Sequence, residues 1–258
     1  MLRPRIIPCL LVHNRGLVKT VAFSDPKYVG DPINAVKIFN EKEADELAVF
    51  DIDASARGAE PDFKMVANLA AECRMPLCYG GGVKTVAQAR RIIGLGVEKI
   101  AISSAAIETP ELVSAAAQEI GSQSVVVVID IKKDRKTGRD LAWTHNGTRN
   151  TGRPLIEVAQ QAEALGAGEI VVNSIDNDGK MQGYDLAMAR SLRQAVQLPI
   201  TLLGGAGSLA DIGALVAACG VVGAAVGSLF VFKGPYKAVL INYPAPPKKD
   251  ELFQPVLG

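Results

Sequence analysis

The chain has 258 residues, 48% of them hydrophobic, and its 28 basic and 27 acidic side chains leave a formal net charge of +1. That balance gives no electrostatic footing for nucleic acid or an anionic membrane as the main partner. No apolar run reaches the roughly 18 residues of a membrane span, and the N-terminal MLRPRIIPCLLVH lacks a secretory-signal pattern, so a cytoplasmic protein is expected.

Strands are predicted near 5-RIIPCLLV-12, 46-ELAVFDID-53, 76-PLCYGGG-82, 99-KIAISS-104, 124-SVVVVIDIK-132, 169-EIVVNSID-176, 199-PITLLGGAG-207 and 221-VVGAAVGS-228. Amphipathic stretches lie between them, several with start signals. Asp31-Pro32 and Thr109-Pro110 place a capping residue before a proline at the first helical position. Thr85 to Gln88 and Ser208 to Asp211 have the form of a capping box or a near variant. Continuously apolar strands alternating with helices imply parallel pairing buried on both faces. Eight such units argue for a closed (β/α)8 TIM barrel over residues 1–233. An open doubly wound sheet is the weaker alternative, because no strand run leads into a clean G-x-G-x-x-G.

The sequence also repeats itself. 51-DIDAS-55 parallels 176-DNDGK-180, 80-GGGVK-84 parallels 204-GGAGS-208, and 101-AISSA-105 parallels 225-AVGSL-229, at offsets of 125, 124 and 124 residues. Coincident offsets near half the length imply two (β/α)4 half-barrels. Polar residues at strand C-termini repeat along with the apolar ones, and that face carries the active sites of barrel enzymes. Gly80-Gly81-Gly82 with Ser103-Ser104, and Gly204-Gly205-Ala206-Gly207 with Gly227-Ser228, form two glycine-and-serine turn pairs half a barrel apart. Such turns let backbone N–H groups approach an anion. A ligand with a phosphate at each end is expected.

The motifs RIIPCL, 43-EADEL-47, 80-GGGV-83, 121-GSQSVVVVID-130, 150-NTGRP-154, 183-GYD-185 and 204-GGAG-207 together resemble the cyclase (synthase) subunit family of imidazole glycerol phosphate synthase, over about residues 3 to 232. The resemblance implies a barrel with a separate glutaminase subunit docked on its N-terminal face. Ammonia crosses the interior to a bis-phosphorylated ribulose substrate, with no metal or organic cofactor. The family's acid–base pair consists of two aspartates, at the ends of strands 1 and 5. Asp130 matches the second; Leu11 occupies the place of the first. Leucine neither donates nor accepts a proton, so standard cyclase activity is in doubt. Lys19 fits the family's phosphate-binding lysine, Asp51 ends strand 2, and Asp176 and Asp178 end strand 6. Ser103 and Lys180 stand where the family usually has asparagine and threonine or serine.

At the opposite face Arg5, Glu46, Lys99 and Glu169 match the family's charged ring gating ammonia entry, two positive and two negative, able to pair. Any one of them alone would read as a solvated strand cap. Glu98 matches an acidic residue of the glutaminase interface. Residues 234–258 depart from the family's ordinary final helix. Prolines at 235, 244, 246, 247 and 255 are expected to keep this tail irregular. The tail resembles that of a paralogous branch tied to surface polysaccharide, which acts with a glutaminase and a sugar amidotransferase to make acetamidino sugars for O-antigen.

Smaller signals complete the reading. His13 and His145 fall on loops expected at the mouth, able to bind substrate or replace a lost proton donor; solvated loop residues are the default. Lys132, Lys133, Arg135, Lys136 and Arg139 form a basic loop after strand 5, and Trp143 reads as a packed anchor. Asn146-Gly147-Thr148 fits a glycosylation pattern without a context of secretion. Cys9, Cys73, Cys78 and Cys219 share no metal-ligand spacing and read as reduced thiols.

Overall fold

Residues 3–257 are described by a computed structural model. Eight parallel strands, β1 Arg5–His13, β2 Leu47–Asp51, β3 Leu77–Gly80, β4 Lys99–Ile102, β5 Val125–Lys133, β6 Glu169–Ser174, β7 Ile200–Leu203 and β8 Gly223–Val226, pair in sequence order. β8 returns to β1 through Arg5 opposite Gly223, which closes the barrel. Eight longer helices clothe it: α1 Pro32–Glu41, α2 Phe63–Glu72, α3 Val86–Gly94, α4 Glu111–Ile120, α5 Leu155–Ala164, α6 Leu186–Ala195, α7 Leu209–Cys219 and α8 Pro246–Leu257. This is the (β/α)8 barrel expected from the sequence.

Alternation along each strand sorts the apolar residues into two concentric cores. Ile6, Leu10, Val12, Leu47, Val49 and Ile100 point outward into the strand–helix layer. Ile7, Cys9, Ala48, Cys78, Ala101, Val126, Val128, Val171, Leu203 and Ala225 point inward, with Leu11 and Phe50 packed against them. The inner set is rich in alanine and cysteine, where barrel interiors usually hold bulky branched residues.

Each half-barrel extends its first strand with a β-hairpin. Gly16–Val21 and Ser24–Gly30 follow β1, and Asp140–Thr144 and Arg149–Pro154 follow β5. Neither hairpin stands out in the sequence, because 24-SDPKYVG-30 and 149-RNTGRP-154 lack an apolar period-2 pattern. Three of the four capping signals form as expected. Asp31 accepts from the Asn34 N–H, and both expected capping boxes form, at Thr85–Gln88 and Ser208–Asp211. The fourth, at Thr109-Pro110, fails at the side chain. Pro110, not Thr109, occupies the cap of α4, and only the Thr109 carbonyl takes part, accepting from Leu112 N at 3.0 Å.

The segment expected to be irregular contains a helix. After a short antiparallel pair, Phe232–Lys233 with Ala238–Val239, the chain runs down the barrel wall into α8, which packs on α7. Pro246 and Pro247 sit in the first turn of α8, where the missing N–H groups would have had no partner. Phe253 is fully buried and Tyr243 nearly so. The Tyr243 hydroxyl donates to the Ile6 carbonyl (2.9 Å) and accepts from the Asp45 N–H (3.1 Å). Lys249, also buried, reaches Asp45 Oδ1 at 2.7 Å. Met1, Leu2 and Gly258, at the ends of the two segments expected from the sequence, lie outside the described residues.

Candidate functional site

The C-terminal ends of the strands enclose a cavity of about 240 Å³. β5 delivers Asp130 into it, buried, with Oδ1 accepting from Asn173 Nδ2 (3.0 Å) and Oδ2 from Ser103 Oγ (3.3 Å). Burial raises this carboxyl to about 7, against the two hydrogen bonds, which pull it down. Asp130 is therefore half-protonated near neutrality, in the range of an acid or a base. Across the cavity, β1 delivers Leu11, paired in register with Phe50 of β2.

The expected anion-binding residues separate into two groups. Lys19, Asp51, Gly81, Gly82, Ser103, Ser104, Gly227 and Ser228 line the cavity. Lys19 is buried, with Nζ donating to the Cys9 carbonyl at 2.6 Å. A Cβ on Gly227 would stand 3.2 Å from that ammonium, so the strand-8 turn and the lysine share one cradle. Burial lowers the Lys19 pKa, opposed by Cys9 and Asp178. Gly82 holds φ +74°, in the left-handed region, where a Cβ would strike the Ala59 carbonyl at 2.7 Å.

Gly205, Gly207 and Asp176 do not line the cavity. A Cβ on Gly205 would meet the Gly183 carbonyl at 2.0 Å, and one on Gly207 the Met181 carbonyl at 2.2 Å. These glycines are required by the close approach of the 181–183 backbone, and Gly183 N donates to the Gly205 carbonyl at 2.8 Å. Asp176 accepts from Lys133 N instead. Asp51 turns its carboxylate onto the N–H groups of Asp53 and Ala54, and burial raises its pKa.

Sequence reasoning passes over Asn173, the amide partner of Asp130. Asn173 sits inside the apolar run of β6, and its polarity there was the available signal. Asp178 joins through Thr20 Oγ1 (2.6 Å) and Phe23 N (3.1 Å), tying β6 to the first hairpin. His145 lines the cavity, with Nδ1 3.3 Å from Glu108 Oε1, whereas His13 does not and is held by Asp53 Oδ1 at 2.7 Å. Trp143 pairs opposite Asp130 in the second hairpin, with the Lys132 ammonium 5.4 Å from its ring. Lys133 of the basic loop bridges to Asp140 (2.9 Å), while Arg135, Lys136, Arg139 and Lys180 are exposed.

At the floor, the four charged strand starts form a closed ring. Arg5 pairs with Glu46 through Nη1 and with Glu169 Oε1 at 2.8 Å. Lys99 Nζ lies 2.9 Å from Glu46 and 3.0 Å from Glu169. Burial works against the charges of Arg5, Lys99 and Glu169, and their partners prevail. Glu169 and Glu46 raise Arg5 and Lys99, and Arg5 and Lys99 lower Glu169. Thr201, unremarked in the sequence because threonine is ordinary in a strand, donates Oγ1 to Glu169 at 2.5 Å. Glu98 lies beside this ring and is exposed. Just above it is a second cavity of about 10 Å³, lined by Glu46, Glu169, Thr201, Cys78 and Phe50 among others. By volume it accommodates about one molecule of water size.

Among the described residues no group of three or more His, Cys, Asp or Glu stands close enough to hold a metal ion. None of their helices is long and apolar enough to cross a membrane. All four cysteines are free, and burial pushes Cys9 up to about 12.

A duplicated barrel with glycine turns at its mouth and an ion ring at its floor is an architecture with known relatives. Residues 5–237 match the family described as "Histidine biosynthesis protein", and the chain belongs to that family. Within it the chain is HisF-like. It is 56% identical over 253 residues to a Leptospira borgpetersenii protein provisionally named imidazole glycerol phosphate synthase subunit HisF, covering 98% of this chain and 100% of that one. A Vibrio vulnificus protein provisionally named as subunit hisF3 is 55% identical, with 98% of each chain covered. The imidazole glycerol phosphate synthase subunit HisF of Lactococcus lactis subsp. cremoris is 43% identical over 82% of each.

Proposed function

We propose that this chain is a non-cyclising, HisF-like synthase subunit of a glutamine amidotransferase assembly. A partner glutaminase docks on the N-terminal face beside Glu98. Its ammonia passes the Arg5–Glu46–Lys99–Glu169 ring, travels the small-residue interior and emerges at the mouth. There it serves amidination of a surface-polysaccharide sugar, carried out with a partner amidotransferase in the cytoplasm, without metal or organic cofactor. The mouth holds a phosphorylated small molecule against Lys19, Gly81, Gly82, Ser103, Ser104, Gly227 and Ser228; Asp51, Asp176, Gly205 and Gly207 support the loops around it.

The observation that carries this reading is Leu11. It faces the same cavity as Asp130, at the place of the carboxylate that the resemblance implies. Proton transfer by a pair of groups loses orders of magnitude when one is replaced by hydrocarbon. The ring at the floor, in contrast, is complete in every pair. The test is cyclisation of the bis-phosphorylated ribulose substrate by the purified barrel with ammonium salt. No turnover in the wild type, and a gain in Leu11→Asp, is expected. Robust wild-type turnover refutes the reading.

A second reading, an imidazole glycerol phosphate cyclase in which another group does the work of the missing aspartate, is favoured by two observations. Asp130 titrates near 7, and His145 with Glu108 reaches the same cavity. Wild-type turnover lost in His145→Gln would establish it.

A further inference from the structure

Among the described residues, Phe50 alone lines both the mouth cavity and the small cavity above the charged ring. Its strand neighbours explain how the ring is seated. Phe50 pairs with Leu11 of β1 on one side and Gly80 of β3 on the other. A Cβ on Gly80 would lie 3.0 Å from Phe50 Cδ1 and 2.9 Å from the Ala101 methyl, so the aromatic ring occupies the space that a Gly80 side chain would need. Leu11 and Leu203 face the mouth cavity beside it.

We infer that Phe50, backed by Leu11, is the outlet valve between the barrel interior and the mouth, an apolar partition that admits a small neutral molecule and excludes water, ions and the mouth's phosphorylated ligand. The inference rests on the conduit reading for the identity of the cargo, but not for the existence of the partition. The space below the ring accommodates about one small molecule. An ammonium ion in an apolar constriction is penalised by desolvation, whereas neutral ammonia crosses with its proton count unchanged. Leucine at position 11 keeps the mouth side of the partition apolar, in addition to removing a proton carrier. Gly80 becomes a specificity residue by the same reasoning, since any side chain there displaces the aromatic ring.

Two native thiols report on the partition from either side. Cys9 lines the mouth cavity and Cys78 the lower one. Timed labelling of the purified chain with methyl methanethiosulfonate at alkaline pH, read by peptide mass spectrometry, follows each separately, with Cys219 of α7 reporting general opening. Wild-type Cys78 is expected to react more slowly than Cys9. Phe50→Ala is expected to accelerate Cys78 by at least about tenfold with Cys9 and Cys219 unchanged, since labelling of a closed site tracks its local opening. Phe50→Leu, which retains a branched apolar side chain, gives a smaller rise confined to Cys78. Equal wild-type rates at Cys9 and Cys78, or no selective rise at Cys78 in either variant, overturns the valve. No glutaminase or sugar substrate is present in this measurement. A failed valve therefore shows here, and a failed conduit reading shows in the cyclisation assay.

Discussion

Replacing Lys99 by methionine removes one of two cations from the floor ring and leaves the side-chain volume nearly intact. Lys99 contacts both Glu46 oxygens and Glu169 Oε2, and its side chain is only 12% exposed. After the change, Arg5 faces two buried carboxylates alone, with Thr201 still donating to Glu169. Removing one member of a buried ion cluster costs about 3–5 kcal/mol, because a desolvated charge is left unpaired. For a chain of this size that is about 6–20 °C in melting temperature. The pH dependence identifies the cause. In the wild type Glu169 lies below its ordinary value, so its contribution is present above the unfolded carboxylate pKa and is lost only as pH falls through the lower folded value. In the variant a carboxylate stays buried with less compensation, its pKa rises, and the folded state takes up a proton that the unfolded state lacks. Stability relative to wild type should therefore recover as pH falls from 7 towards 5. Urea denaturation at both values measures it. A deficit under about 1 kcal/mol at pH 7, or one indifferent to pH, would refute a desolvated ring, since pairs in contact with bulk water have that value.

Asp130→Asn should behave oppositely with pH. The folded carboxyl titrates near 7 and the unfolded one near 4, so the wild type loses stability as pH rises between them; the asparagine variant gains about 2–4 kcal/mol over wild type at pH 8 and nothing at pH 4. Tyr243→Phe leaves the Asp45 N–H and the Ile6 carbonyl unpaired and should cost about 1–3 kcal/mol by denaturant midpoint. A cost near zero would mean that water reaches both groups. Gly223→Ala places a Cβ 1.8 Å from Thr201 Oγ1, which must swing off Glu169; a loss of about 1–3 kcal/mol is expected.

The strands were legible because both faces of each are buried, so that runs such as VVVVI at 125–129 have no polar alternation to obscure them. The ring residues are legible only through the family resemblance, since by position alone each charge at a strand start reads as a solvated cap. What escaped detection was decided by contacts distant in sequence. Thr201 matters because Glu169 lies one strand away, and Phe50 because Gly80 beside it has no side chain. Gly205 and Gly207 answer to the close 181–183 backbone, and a glycine required by a neighbouring backbone looks the same in sequence as one required by a ligand. The helix in the tail is hidden by its prolines, of which Pro246 and Pro247 sit in the first turn, where they do no harm.

Tyr243 and Lys249 are synthesised after every strand of the barrel, yet these two groups grip Ile6 and Asp45, the immediate neighbours of Arg5 and Glu46. A nascent chain with all eight strands extruded still lacks the phenol and the ammonium beneath half of its floor. Residues 234–257 thus complete the base of the barrel, and a chain stopped at residue 233 carries all four ring charges on an unfinished base.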